Sequence, residues 1–111
     1  DEIVQSSQVL ESAFLKVQFR KIEKMSRVWG FSSIFQQSYI LDIDLDYFRT
    51  KKAINPSDGE FFKRLINGAS AITIAKEPIW VDRLKLDAEL SVEFLFKKLL
   101  HLIRIALETR K

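Results

Sequence analysis

The chain has 111 residues, 47% of them apolar, with nine Phe and two Trp, enough for one modest hydrophobic core. Its net charge is +3, from eighteen Lys and Arg scattered along the sequence, which argues against a nucleic-acid footprint. Cysteine is absent, which excludes disulfides and thiol chemistry and fits a reducing, cytoplasmic setting. No apolar run approaches the ~18 residues of a membrane span, so no membrane partner is expected. The chain opens on Asp1 rather than Met and shows no signal peptide, as expected of a segment of a longer protein.

Residues 2–13 carry Ile3, Val4, Val9 and Leu10 at loosely helical spacing and predict a helix. In residues 14–22, Leu15, Val17 and Phe19 alternate with Lys16, Gln18 and Arg20, the pattern of a half-buried strand. Residues 23–37, with Trp29 and Gly30 among Ser and Gln, read as a connection holding a short helical turn. Residues 38–46 then predict a strand. Tyr39, Leu41, Ile43 and Leu45 would take one face, and Asp42, Asp44 and Asp46 the other. The near-continuous apolar series around the acids suggests burial on both faces, as in parallel sheets.

Residues 49–56 form a polar loop. Ser57-Asp58-Gly59-Glu60 matches a capping box, with Ser57 as N-cap and Glu60 reaching back. The helix that follows carries Phe61, Phe62, Leu65 and Ile66 on one side. It closes at Asn67-Gly68, where Gly suits a left-handed turn. Residues 71–75 predict a second apolar strand, stopped by Lys76-Glu77-Pro78. Strand, helix and strand together predict a βαβ unit with parallel strands and a right-handed crossover. Residues 87–110 predict a long helix whose stripe of Leu90, Phe94, Leu95, Leu99, Leu102, Ile103 and Ala106 is widened by Phe96, Leu100 and Leu107. So wide a surface implies contact on more than one side. His101 falls on a face of this helix, and Trp29 and Trp80 read as core edges beside turns.

The three Asp are the candidate site. Like carboxylates on one face repel, and a carboxylate drawn into a dry interior must be neutralised, paired or metal-bound. Ligands of open parallel sheets bind beyond the carboxyl ends of the strands. Asp42 and Asp44 approach that end of the first strand, while Lys76 and Glu77 lie just past the same end of the second. The plain structural reading pairs the acids with Arg49, Lys51 and Lys52. A calcium-binding EF-hand loop is excluded, because Tyr47 stands where that loop requires Gly. A magnesium-dependent phosphatase of the haloacid-dehalogenase kind would use Asp42 and Asp44 around the metal, with Thr73 resembling that family's second motif. Asp46 stands where that family carries Thr or Val.

Leu41-Asp42-Ile43-Asp44 also resembles the segment through which arginases hold two manganese ions. More closely, Tyr-Ile-Leu-Asp-Ile-Asp-Leu-Asp-Tyr-Phe, followed by Ala-Ile-Thr-Ile-Ala-Lys-Glu-Pro, is similar to the domain family that contains the bacterial peptide arginases, within the arginase and deacetylase superfamily. The resemblance is clear over residues 38–80 and extends over 14–105. It implies a three-layer α/β architecture with a mostly parallel sheet, of which residues 1–111 are one domain's C-terminal part. It implies Asp42 as the bridging carboxylate, Asp44 as a ligand of one ion, Asp46 as a further ligand or a supporting acid, and Glu77 as the catalytic-site group gripping the substrate guanidinium. The implied activity is manganese-dependent hydrolysis of a peptide or protein arginine to ornithine and urea. The family's Asp-x-His-x-Asp stretch and an additional His ligand are absent, so this chain carries part of the metal site. The non-enzymatic alternative is an arginase-like piece kept for interaction, with helix 87–110 contacting the missing half of the domain or a second copy.

Overall fold

The computed structural model describes residues 2–30 and 34–109. Helix α1 (Glu2–Ser7) is short, and the chain breaks from it at residues 8–11, where Val9 and Leu10 turn into the core. Helix α2 (Ser12–Val28) occupies the stretch whose alternation predicts a strand over residues 14–22. The burial pattern explains this correction. Leu15 is buried and Phe14 and Phe19 pack on the core, whereas Val17 is 45% exposed. Burial at i and i+4 with exposure at i+2 is the helical period, and the two-residue alternation is coincidental. Residues 23–28, read as part of a connection, continue α2; a 3-10 turn follows over Ile34–Gln36, and residues 31–33 lie outside the described residues.

Strand β1 (Ile40–Asp44) pairs in parallel with strand β2 (Ala71–Ala75), with Asp42 opposite Thr73 and Asp44 opposite Ala75. Between them lies helix α3 (Glu60–Gly68), completing the predicted βαβ unit. Among the described residues the sheet has these two strands only. It is not buried on both faces. Ile43 is buried and Leu41, Ile72 and Ile74 pack on the core, but Asp42 and Asp44 are exposed and Ile40 is 66% exposed. The core covers one face, so the polar face can keep its charges in water.

The capping box is also corrected. The N-cap of α3 is Gly59, with no side-chain cap of its own. Glu11 instead accepts the N–H groups of Ser57 and Asp58, at 2.7 and 3.1 Å. Ser12, buried at the start of α2, donates to Asp58 Oδ1 (2.9 Å) and accepts the Phe61 N–H (3.1 Å). Asp58 Oδ1 also accepts the Glu60 N–H. Of the first donors of α3, the Glu60 N–H is thus satisfied locally by Asp58 and the Phe61 N–H from Ser12 at the start of α2, while Glu11 holds the turn just before the helix. Phe61, Phe62, Leu65 and Ile66 are all buried, the face read from their spacing. Gly68 ends the helix without left-handed backbone; Gly30 is the described glycine with positive φ.

After β2, helix α4 (Pro78–Leu84) begins at once with Pro in its first turn. Helix α5 (Val92–Glu108) starts later than residue 87, because Ser91 Oγ accepts the Phe94 N–H at 3.1 Å and sets the N-cap there. Leu95, Leu99 and Ala106 are buried from α5, and Leu100 and Leu107 stay exposed on its far side. Leu45, Phe48, Ile54, Ile66, Leu95 and Leu99 are the large, fully buried side chains at the centre of the core. No helix among the described residues is long and apolar enough to cross a membrane.

Candidate functional site

The site is built on β1 and the turn that follows it. Asp42 and Asp44 stand two residues apart on one strand, so both carboxylates project from the same exposed face. Across the ladder, Thr73 Oγ1 donates to Asp42 Oδ1 at 2.7 Å. This bond follows from the register, which sets Thr73 directly opposite Asp42. It fixes one oxygen of Asp42 and leaves the other available.

Asp46 does not continue the row. The strand stops at Asp44, and Leu45–Tyr47 is a 3-10 turn. Leu45 and Phe48, three residues apart, are both drawn fully into the core. That pull coils the chain, ends the two-residue alternation and leaves Asp46 half-buried in the turn. The shared face for all three acids, predicted from an unbroken strand, is therefore limited to Asp42 and Asp44.

None of the three carboxylates is ion-paired among the described residues. Lys51 pairs with Glu89, and Arg49 Nε donates to the Leu84 carbonyl at 2.7 Å. The acids are nevertheless gathered around one feature. A cleft of about 440 Å³ runs along β1 and is reached by Asp42, Asp44 and Asp46 on one side, with Leu15, Phe19, Phe62 and Leu65 among its apolar walls. Tyr47 is also part of the lining. Burial raises its phenol above the usual tyrosine range, and its hydroxyl donates weakly to the Val9 carbonyl at 3.4 Å.

Glu77 lies two residues past Ala75, the partner of Asp44, and so at the same end of the sheet. It does not line this cleft. Its backbone is left-handed (φ 47°, ψ 55°), and it is the non-glycine residue with positive φ among the described residues. Pro78 disfavours the right-handed helical region for the residue before it, which helps to account for the turn. A left-handed non-glycine residue costs about 1–3 kcal/mol. Lys76 points elsewhere, with Nζ 4.6 Å from the Phe96 ring centre, beside a second cavity next to α4 and α5. The sheet topology brings Asp44 and Glu77 to one end; the cleft does not unite them.

Asp42 and Asp44 supply the hard carboxylate oxygens that manganese and magnesium take, and the Thr73 bond is of the kind that orients such a ligand. Among the described residues, however, no three His, Cys, Asp or Glu side chains gather closely enough to hold a metal ion. Two carboxylates fit a metal as part of a ligand set. Thr73, read from the sequence only as resembling a phosphatase motif, is the partner of Asp42, and its place as the lone polar residue of Ala-Ile-Thr-Ile-Ala marks it. Comparisons with protein-family models, curated proteins and solved structures find no match to this chain.

Proposed function

We propose that this chain carries the carboxylate part of a manganese-dependent hydrolase of the arginase kind, acting on the guanidino group of an arginine within a peptide or protein. What supports the reading is one observation: Asp42 and Asp44 share an exposed face at the carboxyl end of a parallel strand, with no cation paired to either among the described residues. In it, Asp42 and Asp44 would hold the metal, and Thr73 keeps Asp42 in its orientation. Bound divalent ions of this type supply a water acidic enough to act near neutral pH. Glu77 would attract the substrate guanidinium from the end of β2, and Asp46 would hydrogen-bond at the mouth of the cleft. Water adds to the guanidino carbon, the bond from that carbon to Nε breaks, and Nε takes a proton and leaves as the amine of ornithine while urea departs.

The three-layer sheet, the cytoplasmic setting and the remaining metal ligands belong to the same proposal. Those ligands would come from polypeptide beyond the described residues. The test is urea release from arginine-containing peptides with manganese, by the natural polypeptide that carries this sequence. The reading predicts urea, lost on Asp42→Asn. Magnesium-dependent phosphate release without urea would replace it with the phosphatase. Neither product would leave a non-catalytic interaction piece.

A further inference from the structure

Among the described residues, the edge of β1 away from β2 pairs with no strand. In a parallel pair, alternate residues direct their N–H and C=O groups to that outer side. The 440 Å³ cleft adjoins β1, and no β2 residue lines it. An open strand edge beside an apolar cleft is a template for an added strand. We propose that the outer edge of β1 binds an extended peptide segment in which basic and apolar residues alternate.

The alternation follows from the geometry. An added strand lies about 4.8 Å from its neighbour, and its side chains point alternately to the two faces. On one face they meet Asp42 and Asp44, which no cation pairs among the described residues; on the other they meet the walls formed by Leu15, Phe19, Phe62 and Leu65. Charge complementarity therefore selects Lys or Arg at every second position, with apolar residues between. A second copy adding through its own β1 is disfavoured, because Asp42 and Asp44 of the two copies would face one another. This inference rests on the hydrolase reading only for the choice of arginine as one of the basic residues. The binding itself is measured without metal.

The experiment is fluorescence anisotropy of a labelled Val-Arg-Val-Arg-Val amide with the 111-residue chain, in low salt with EDTA. Saturable binding is expected. Backbone N-methylation at alternate residues, and the double substitution Asp42→Asn with Asp44→Asn, should each weaken it by about tenfold or more. Amide shifts should concentrate at Ile40–Asp44. No saturable binding, equal binding of the Val-Glu-Val-Glu-Val amide, or binding indifferent to N-methylation in both registers would overturn the proposal. So would peptide-free dimerisation of the chain through β1. Peptide binding by this chain, with no manganese-dependent urea release by the natural polypeptide that carries it, defeats the hydrolase and leaves strand addition standing; urea release by that polypeptide without an effect of N-methylation on binding does the reverse.

Discussion

Gly68 and Tyr39 exclude each other's larger neighbours: a Cβ built on Gly68 would lie 2.6 Å from the Tyr39 hydroxyl oxygen. That hydroxyl is committed, donating to the Leu65 carbonyl at 2.6 Å, and burial raises its pKa above the usual tyrosine range despite the opposing Arg64 charge. Gly68 ends α3 without left-handed backbone, so Ala there would otherwise gain about 1 kcal/mol from helix propensity. The contact reverses the sign. Breaking the Tyr39 bond and leaving its buried partner unsatisfied costs about 1–3 kcal/mol, so after the propensity gain Gly68→Ala should lower net stability by about 1 kcal/mol. In a Tyr39→Phe background the same substitution should be neutral or stabilising. Urea denaturation of the four proteins measures the coupling, and independent effects would contradict it.

Ser12 joins α2 to α3. The residue is 2% exposed, and its hydroxyl both donates to Asp58 and accepts from the Phe61 N–H. Ser12→Ala leaves a buried N–H without its acceptor, and should cost about 1–2 kcal/mol. Thermal unfolding should show a melting temperature lower by several degrees, roughly 4–8 °C per kcal/mol. A change within error would mean that water replaces the hydroxyl.

Two carboxylates at this junction make stability depend on pH. The Ser57 N–H, chiefly, holds Glu11 below its ordinary pKa. The Glu60 N–H and then the Ser12 hydroxyl do the same for Asp58. A folded pKa below the unfolded one means that the stabilisation is complete above the unfolded value, about 4, and is lost as pH falls through the folded value. Melting temperature should therefore drop between about pH 5 and pH 3, and Glu11→Gln should flatten that slope. A melting temperature that holds or rises on acidification would contradict these assignments.

Much of this fold is legible in the sequence because local and long-range preferences agree there. Ala-Ile-Thr-Ile-Ala, bounded by Gly68 and Pro78, becomes β2 over the predicted residues, and the Phe61, Phe62, Leu65, Ile66 spacing gives the buried face of α3. The failures fall where tertiary packing decides. Leu15-Lys16-Val17-Gln18-Phe19-Arg20 fits a strand by pattern, but packing Leu15 and Phe19 on the core while Val17 faces water requires a helix. Ser57 and Glu60 carry a capping box by type, yet Glu11 accepts the Ser57 N–H from a distant position, Asp58 takes the Glu60 N–H, and Ser12 accepts the Phe61 N–H. At the site, Asp42 and Asp44 are placed as their spacing implies. Asp46 is not, because burial of Leu45 and Phe48 bends the chain one residue after the strand.

The buried leucines carry a simple expectation. Leu99 lies fully buried in α5 at the centre of the core. Leu99→Ala should cost about 2–5 kcal/mol through lost burial and the cavity left behind. Leu100→Ala, one residue on and exposed, should stay within about 0.5 kcal/mol in the same chemical denaturation experiment.

In the proposed site the metal would sit against Asp42 and Asp44. Manganese is paramagnetic, so even weak binding broadens the amide signals nearest to it. Titration of the isotope-labelled 111-residue chain with substoichiometric manganese should broaden Asp42, Asp44 and Thr73 first, and Asp42→Asn with Asp44→Asn should remove the effect. Broadening led by Glu89, Glu93 or Glu108, or unchanged by that double substitution, would contradict the claim.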